Sequence, residues 1–214
     1  MYSFEPSEEQ QMLIDTVARY ASSNLRPASH DADEESQVPI SLIKKGWELG
    51  VLQASTPEKY GGFGEHSAVT GVLAAEEMAY GDLAGSLCVM TPGLFAIPLL
   101  LHGSEEQKNE YLPAIVEGDW SPYTAALIEP HFNYDPSELM TTATLDGDHF
   151  LITGEKSYVP FANEAKIMLV YASLEGTTQA FIIPGDTEGI QIGERQKMLG
   201  VNAYPLYSMK FDHA

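Results

Sequence analysis

The order of polar and apolar residues predicts helices in the first part of this chain and strands in the second. Ser7-Glu8-Glu9-Gln10 is a capping box, with a hydroxyl at the cap and an amide three residues on. Behind it Leu13, Ile14, Val17 and Tyr20 fall on one helical face. Pro39 suits the first turn of a second helix, with Leu42, Ile43 and Trp47 inward and Gly50 as its stop. A turn-rich loop from Thr56 to Gly64 follows, then a third helix marked by Val69, Val72, Leu73 and Glu76 and closed at Gly81. Asp82 can cap the next segment, which is rich in Gly, Ala and Ser and interrupted at Pro92 and Pro98, so a kinked or split helix is expected. Ser104-Glu105-Glu106-Gln107 repeats the capping box and opens a helix ending near Gly118.

Beyond Gly118 the pattern changes. Tyr123 to Ile128 is a short apolar run, and Met140 to Thr153 reads as two strands joined at Asp146-Gly147, a hairpin signal. Ile167 to Ala172, Gln179 to Pro184, Ile190 to Gly193 and Leu206 to Phe211 read as further strands. Helices followed by strands predict an α+β chain: an N-terminal all-α helical domain over 1–120, then a β-barrel or sandwich domain over 121–214.

Composition narrows the function. Eleven basic against 31 acidic residues give a net charge of −20, a balance that repels nucleic acid and anionic membranes. The same charge opposes an anionic ligand such as coenzyme A unless positive charge comes from elsewhere. The first residues carry no basic or apolar run, so no signal peptide is expected, and no stretch reaches the length of a membrane span. Cys88, the sole cysteine, sits among Leu87, Val89 and Met90 and reads as buried filler, which fits a cytoplasmic location. The six histidines form no i, i+4 pair, so no metal site is expected. Gly61-Gly62-Phe63-Gly64 follows no predicted strand and reads as a tight connection, not a dinucleotide loop. Glu76 and Glu77 diverge by about 100° on a helix and cannot share a proton. Glu129 precedes Pro130, which confines it to extended backbone; it reads as a hydrogen-bond acceptor that holds its loop and needs a partner.

Two segments carry a resemblance. Thr124-Ala125-Ala126-Leu127-Ile128-Glu129-Pro130-His131-Phe132-Asn133-Tyr134-Asp135 resembles the A-L-T-E-P-x-A-G-S-D signature of the acyl-CoA dehydrogenase family, and Gly154-Glu155-Lys156-Ser157-Tyr158-Val159-Pro160-Phe161 resembles its G-x-K-x-W-I-T-N signature. Glu129, Pro130, Asp135, Gly154 and Lys156 match; Ile128, Asn133, Tyr134, Tyr158, Pro160 and Phe161 do not. The loop Pro57 to Gly64, the helix segment Ala75 to Ala79, His102 to Lys108 and Tyr111-Leu112-Pro113 also resemble the family, and Lys197 to Val201 and Phe211-Asp212 resemble its closing strands.

The resemblance implies a subunit with helical, barrel and C-terminal helical parts, of which this chain supplies the first two. It implies FAD as cofactor and an acyl-CoA substrate converted to the trans-2-enoyl-CoA. It places the flavin face at Ala125, Leu127, Ile128, Tyr134, Tyr158 and Pro160. The family's catalytic glutamate usually lies in the C-terminal part, and no residue here aligns with it, so the catalytic residue is unassigned. Ile128 and Pro160 stand at threonine positions, Tyr134 at a serine and Tyr158 at an indole, which implies flavin in an assembly rather than in this chain alone. The expectation is therefore a homo- or hetero-oligomer with an acyl-CoA dehydrogenase partner subunit, or, alternatively, a non-catalytic scaffold.

Overall fold

The computed structural model describes residues 5–64 and 66–214. The chain forms two units. One holds the residues up to Met90 together with Ala96–Ser121 and Leu199–Tyr204; the other holds Thr91–Phe95, Pro122–Met198 and Pro205–Ala214.

In the helical unit, Ser7 caps α1 (Glu8–Tyr20) by accepting from the Gln10 N–H, and the Gln10 side chain accepts from the Ser7 N–H in return. The helix does not stop at Tyr20. It passes through a wide turn at Ala21–Leu25 into α2 (Arg26–Glu34). Pro27, which has no N–H to give, falls in the first turn of α2, where the hydrogen-bond ladder has just been reset. α3 (Ile40–Trp47) buries Ile43 and Trp47 as its spacing predicts, and Gly50 takes left-handed backbone before α4 (Val51–Ala54).

α5 (Ala68–Gly81) packs through Ala74, Met78 and Gly81, while Val69 and Val72 are 63% and 65% exposed. A Cβ at Gly81 would lie 2.7 Å from the Ala21 carbonyl oxygen, so that face is small because another backbone runs against it. The split helix is α6 (Leu83–Met90) and α7 (Gly93–His102), bent by 47° at Thr91-Pro92. Asp82 accepts from the Gly85 N–H at 2.6 Å, as a cap should. The second capping box opens α8 (Glu105–Val116). Cys88 is buried, and among the described residues no single helix is long and apolar enough to cross a membrane.

The second unit is a seven-stranded mixed sheet made of β1 (Thr124–Ala126), β2 (Thr142–Asp146), β3 (His149–Pro160), β4 (Ile167–Leu174), β5 (Thr177–Pro184), β6 (Ile190–Arg195) and β7 (Leu206–Phe211). The order is β1-β4-β2-β3-β7-β6, with β5 also on β4. β4 therefore meets three strands, and Met168, Leu169, Val170 and Ala172 along it are buried. Ala126, Ala143, Ile152, Val159, Met209 and Phe211 close on the same core.

The predicted hairpin is present with its register moved by one. Asp146 pairs with His149, so Gly147 and Asp148 form the loop, and the glycine takes the positive φ its first position requires. Lys197 to Val201, matched above to a closing strand, is instead part of the connection between β6 and β7. Asn202 in that connection donates to Asp33 and Ser36, a tie within the helical unit, which draws the backbone out of strand geometry.

β3 changes partner midway. Its first half pairs with β2 up to Thr153, and its second half pairs with β7 from Gly154 onward. Gly154 has φ +151, and a Cβ there would meet the Thr141 backbone at 2.6 Å. Gly154→Ala is expected to cost about 2–3 kcal/mol. Gly71→Ala, mid-helix in α5 with no atom within 4 Å of the new Cβ, should instead stabilise by about 0.5–1 kcal/mol. Urea unfolding midpoints of the two variants check the opposite signs.

Candidate functional site

Just beyond β1 the chain stays extended because Pro130 restricts Glu129, whose side chain then turns into the protein. Lys156 reaches it from β3. Its Nζ lies 2.9 Å from Glu129 Oε1 and donates to the Leu127 carbonyl at 3.1 Å. Lys156 is 0% exposed and Glu129 3%. The carboxylate also accepts from the backbone N–H groups of Met140 and Thr141, each at 2.8 Å, and His131 Nε2 lies 3.0 Å from Oε2. One buried carboxylate thus ties both ends of the loop between β1 and β2 to β3.

Burial by itself would push the Glu129 carboxyl up. The hydrogen bonds from Thr141 and Lys156 and from the two backbone N–H groups outweigh it and hold the group at about 2. Burial draws the Lys156 ammonium below its ordinary value, against the pull of Glu129. The Glu129 carboxylate is therefore ionised at neutral pH. A cleft of about 320 Å³ lined by Pro130, His131, Met140, Thr141 and Glu155 opens beside it.

The six predicted cofactor residues divide between surface and interior. Leu127, Ile128 and Tyr158 come together, because the Ser157 N–H donates to the Ile128 carbonyl at 2.8 Å. A bulge in the β3–β7 pairing after Lys156 puts Tyr158 at φ +55 and turns its ring outward, 44% exposed beside Ile128 at 41%. Ala125 is half-buried in β1 opposite Leu169. Pro160 is buried opposite Leu206 in the sheet, off the exposed face. Tyr134 lies on the loop with its ring 6.1 Å from that of His131, and its hydroxyl is buried with no hydrogen-bond partner. Burial, then the charges of Glu129 and Asp135, push that phenol up.

Sequence reasoning asked for a partner for Glu129 and named none. Lys156 was identifiable as the one Lys or Arg between Lys108 and Lys166. His131 carried no signal of its own, since its contact depends on the folded loop.

Residues 7–119 match the acyl-CoA dehydrogenase N-terminal domain model and residues 124–214 the middle domain model. The chain belongs to the acyl-CoA dehydrogenase family. Among its relatives, a "Probable acyl-CoA dehydrogenase" of Bacillus subtilis (strain 168) is 30% identical over all of this chain and 36% of its own length. The mitochondrial short-chain specific acyl-CoA dehydrogenase of Sus scrofa is 31% identical over 98% of this chain and 52% of its own. A glutaryl-CoA dehydrogenase structure from Mycobacterium smegmatis, in complex with FADH2, superposes with a TM-score of 0.86 at 29% identity, over 97% of this chain and 53% of that one. The chain thus spans about a third to a half of the length of these relatives.

The residues on this chain's exposed face do not fit a flavin. Ile128 offers no polar atom from its side chain, the Leu127 and Ile128 carbonyls already accept from Lys156 and Ser157, and Tyr158 supplies an aromatic face and one hydroxyl.

Glu129→Gln leaves the Lys156 ammonium buried without a counter-ion and is expected to destabilise by about 3–5 kcal/mol. In the wild type the carboxyl is lowered from an ordinary 4.5 to about 2. Its stabilisation is therefore complete above 4.5 and lost as pH falls toward 2, a loss of roughly 3 kcal/mol. Denaturant titrations across that window should show this slope in the wild type and not in the variant.

Proposed function

We propose that this chain is a subunit of an acyl-CoA dehydrogenase-like flavoprotein assembly that converts an acyl-CoA thioester to the trans-2-enoyl-CoA with FAD as cofactor. The observation that carries the reading is the match to two consecutive family domains, in order, over nearly all of the chain. The catalytic base and most of the flavin contacts come from outside the two units described, supplied by an acyl-CoA dehydrogenase partner in a homo- or hetero-oligomer. This chain contributes the sheet that carries the Ile128–Tyr158 face, with its loop fixed by Glu129 and Lys156. The single buried cysteine suits a reducing cytoplasm as the place of action.

Co-expression with a candidate partner subunit tests the proposal. The expected result is a yellow complex that forms trans-2-enoyl-CoA from acyl-CoA in the presence of an electron acceptor, while the chain alone forms none. A stable complex that stays colourless and inactive when FAD is supplied would sink the dehydrogenase role and leave the scaffold reading.

A further inference from the structure

Resting on that reading, we infer that the assembly's flavin is not held on this chain's own 125–160 face. Three independent features of the face lead there.

The first is the supply of donors. A flavin ring is bound through its polar edge, and the exposed side chain beside Tyr158 is the aliphatic Ile128. The neighbouring carbonyls are acceptors already engaged within the chain, by the Lys156 ammonium and the Ser157 N–H.

The second is charge. FAD carries a diphosphate, and from Asn109 to Glu155 the chain has no Lys or Arg against nine Asp and Glu. The next cation, Lys156, is 0% exposed and spent on Glu129 and the Leu127 carbonyl. A diphosphate laid along this loop would meet acidic side chains and no compensating ammonium or guanidinium.

The third is space. Phe132, Asn133 and Tyr134 stand where the family's segment has alanine, glycine and serine. Close approach of a phosphate to backbone N–H groups needs small residues there. Here the Tyr134 ring lies against His131 with its hydroxyl buried, and the larger Phe132 and Asn133 side chains stand exposed on the loop where a phosphate would approach. Glu129 holds the far end of the loop through its hydrogen bonds from Met140 and Thr141.

The test is a flavin titration of the purified 214-residue chain, followed by quenching of FAD fluorescence, beside the variant Ile128→Thr/Tyr134→Ser. The wild type is expected to purify colourless and to show at most weak binding. The variant, which adds a hydroxyl at 128 and replaces the bulky phenol at 134 with a small one, should bind about 10- to 100-fold more tightly. Far-ultraviolet circular dichroism confirms that the variant folds, and Tyr134→Ser alone, expected to give part of the gain, serves if it does not. Wild-type chain that retains about one flavin per chain would overturn the inference. A folded variant with no gain would overturn it too, because the loss would then not lie in these side chains. The readout is flavin and not turnover, so an inactive assembly would bear on the proposed activity alone.

Discussion

The Glu129–Lys156 pair organises the strand unit. A carboxylate and an ammonium taken out of water each lose several kcal/mol of solvation, and their mutual attraction repays this only when every remaining lone pair and proton is used. Here they are used. Glu129 takes two backbone N–H groups, an ammonium and an imidazole, and Lys156 adds the Leu127 carbonyl. The pair thereby joins three places that sequence keeps apart: the exit of β1, the entry to β2, and the point at which β3 has just left β2 for β7. Gly154 lets β3 pass the Thr141 backbone at that switch, and the bulge two residues later aims Tyr158 outward. An apolar pair could fill the same volume. It could not accept the Met140 and Thr141 N–H groups, and the loop would lose its register.

How far the sequence could be read depended on how local each signal was. Both capping boxes, the Asp82 cap and the break at Pro92 concern residues within a few positions of one another, and each appears where it was expected. The strands were readable for the same reason, their apolar runs being bounded by turn residues. The continuation of α1 into α2 was not, because Pro27 argues for a stop and the wide turn that accommodates it has no side-chain signature. The buried face of α5 was also obscured. Its largest apolar residues, Val69 and Val72, point to solvent, while Gly81 is buried against the Ala21 backbone. Size marks a core face only where the neighbour leaves room for size. At the site, Glu129 was recognisable as needing a partner, but the pairing with Lys156 depends on the meeting of two strands, and the Tyr134–His131 contact on the path of a loop.

The exposed stripe Val69, Val72 and Tyr80 on α5 sits on a chain of net charge −20. The two features work in opposite directions. Apolar stripes favour association, whereas a strongly acidic surface keeps like chains apart, by an amount that salt reduces. Nothing in the structure shows what covers this stripe.

Four of the residues that match the family's two signatures and two of those that depart from them fall into different physical classes, whereas Asp135 matches and is exposed, and Pro160 and Phe161 depart and are buried. Glu129, Pro130, Gly154 and Lys156 hold the chain to itself: they are buried, sterically constrained, or both, and a change at any of them acts on the fold. Ile128 and Tyr158 face outward, where a substitution alters what the surface can bind and leaves the sheet alone. The magnitudes explain why the two classes separate. Breaking a buried ion pair removes about 3–5 kcal/mol, a large part of the 5–15 kcal/mol that keeps a domain folded. Losing one neutral hydrogen bond to a ligand removes only about 0.5–1.5 kcal/mol, and none of it from the unliganded fold. A chain can therefore change its outward face one side chain at a time and still fold as its relatives do. Family membership here follows from residues that stabilise the structure. What the surface binds has to be read from a different set of side chains.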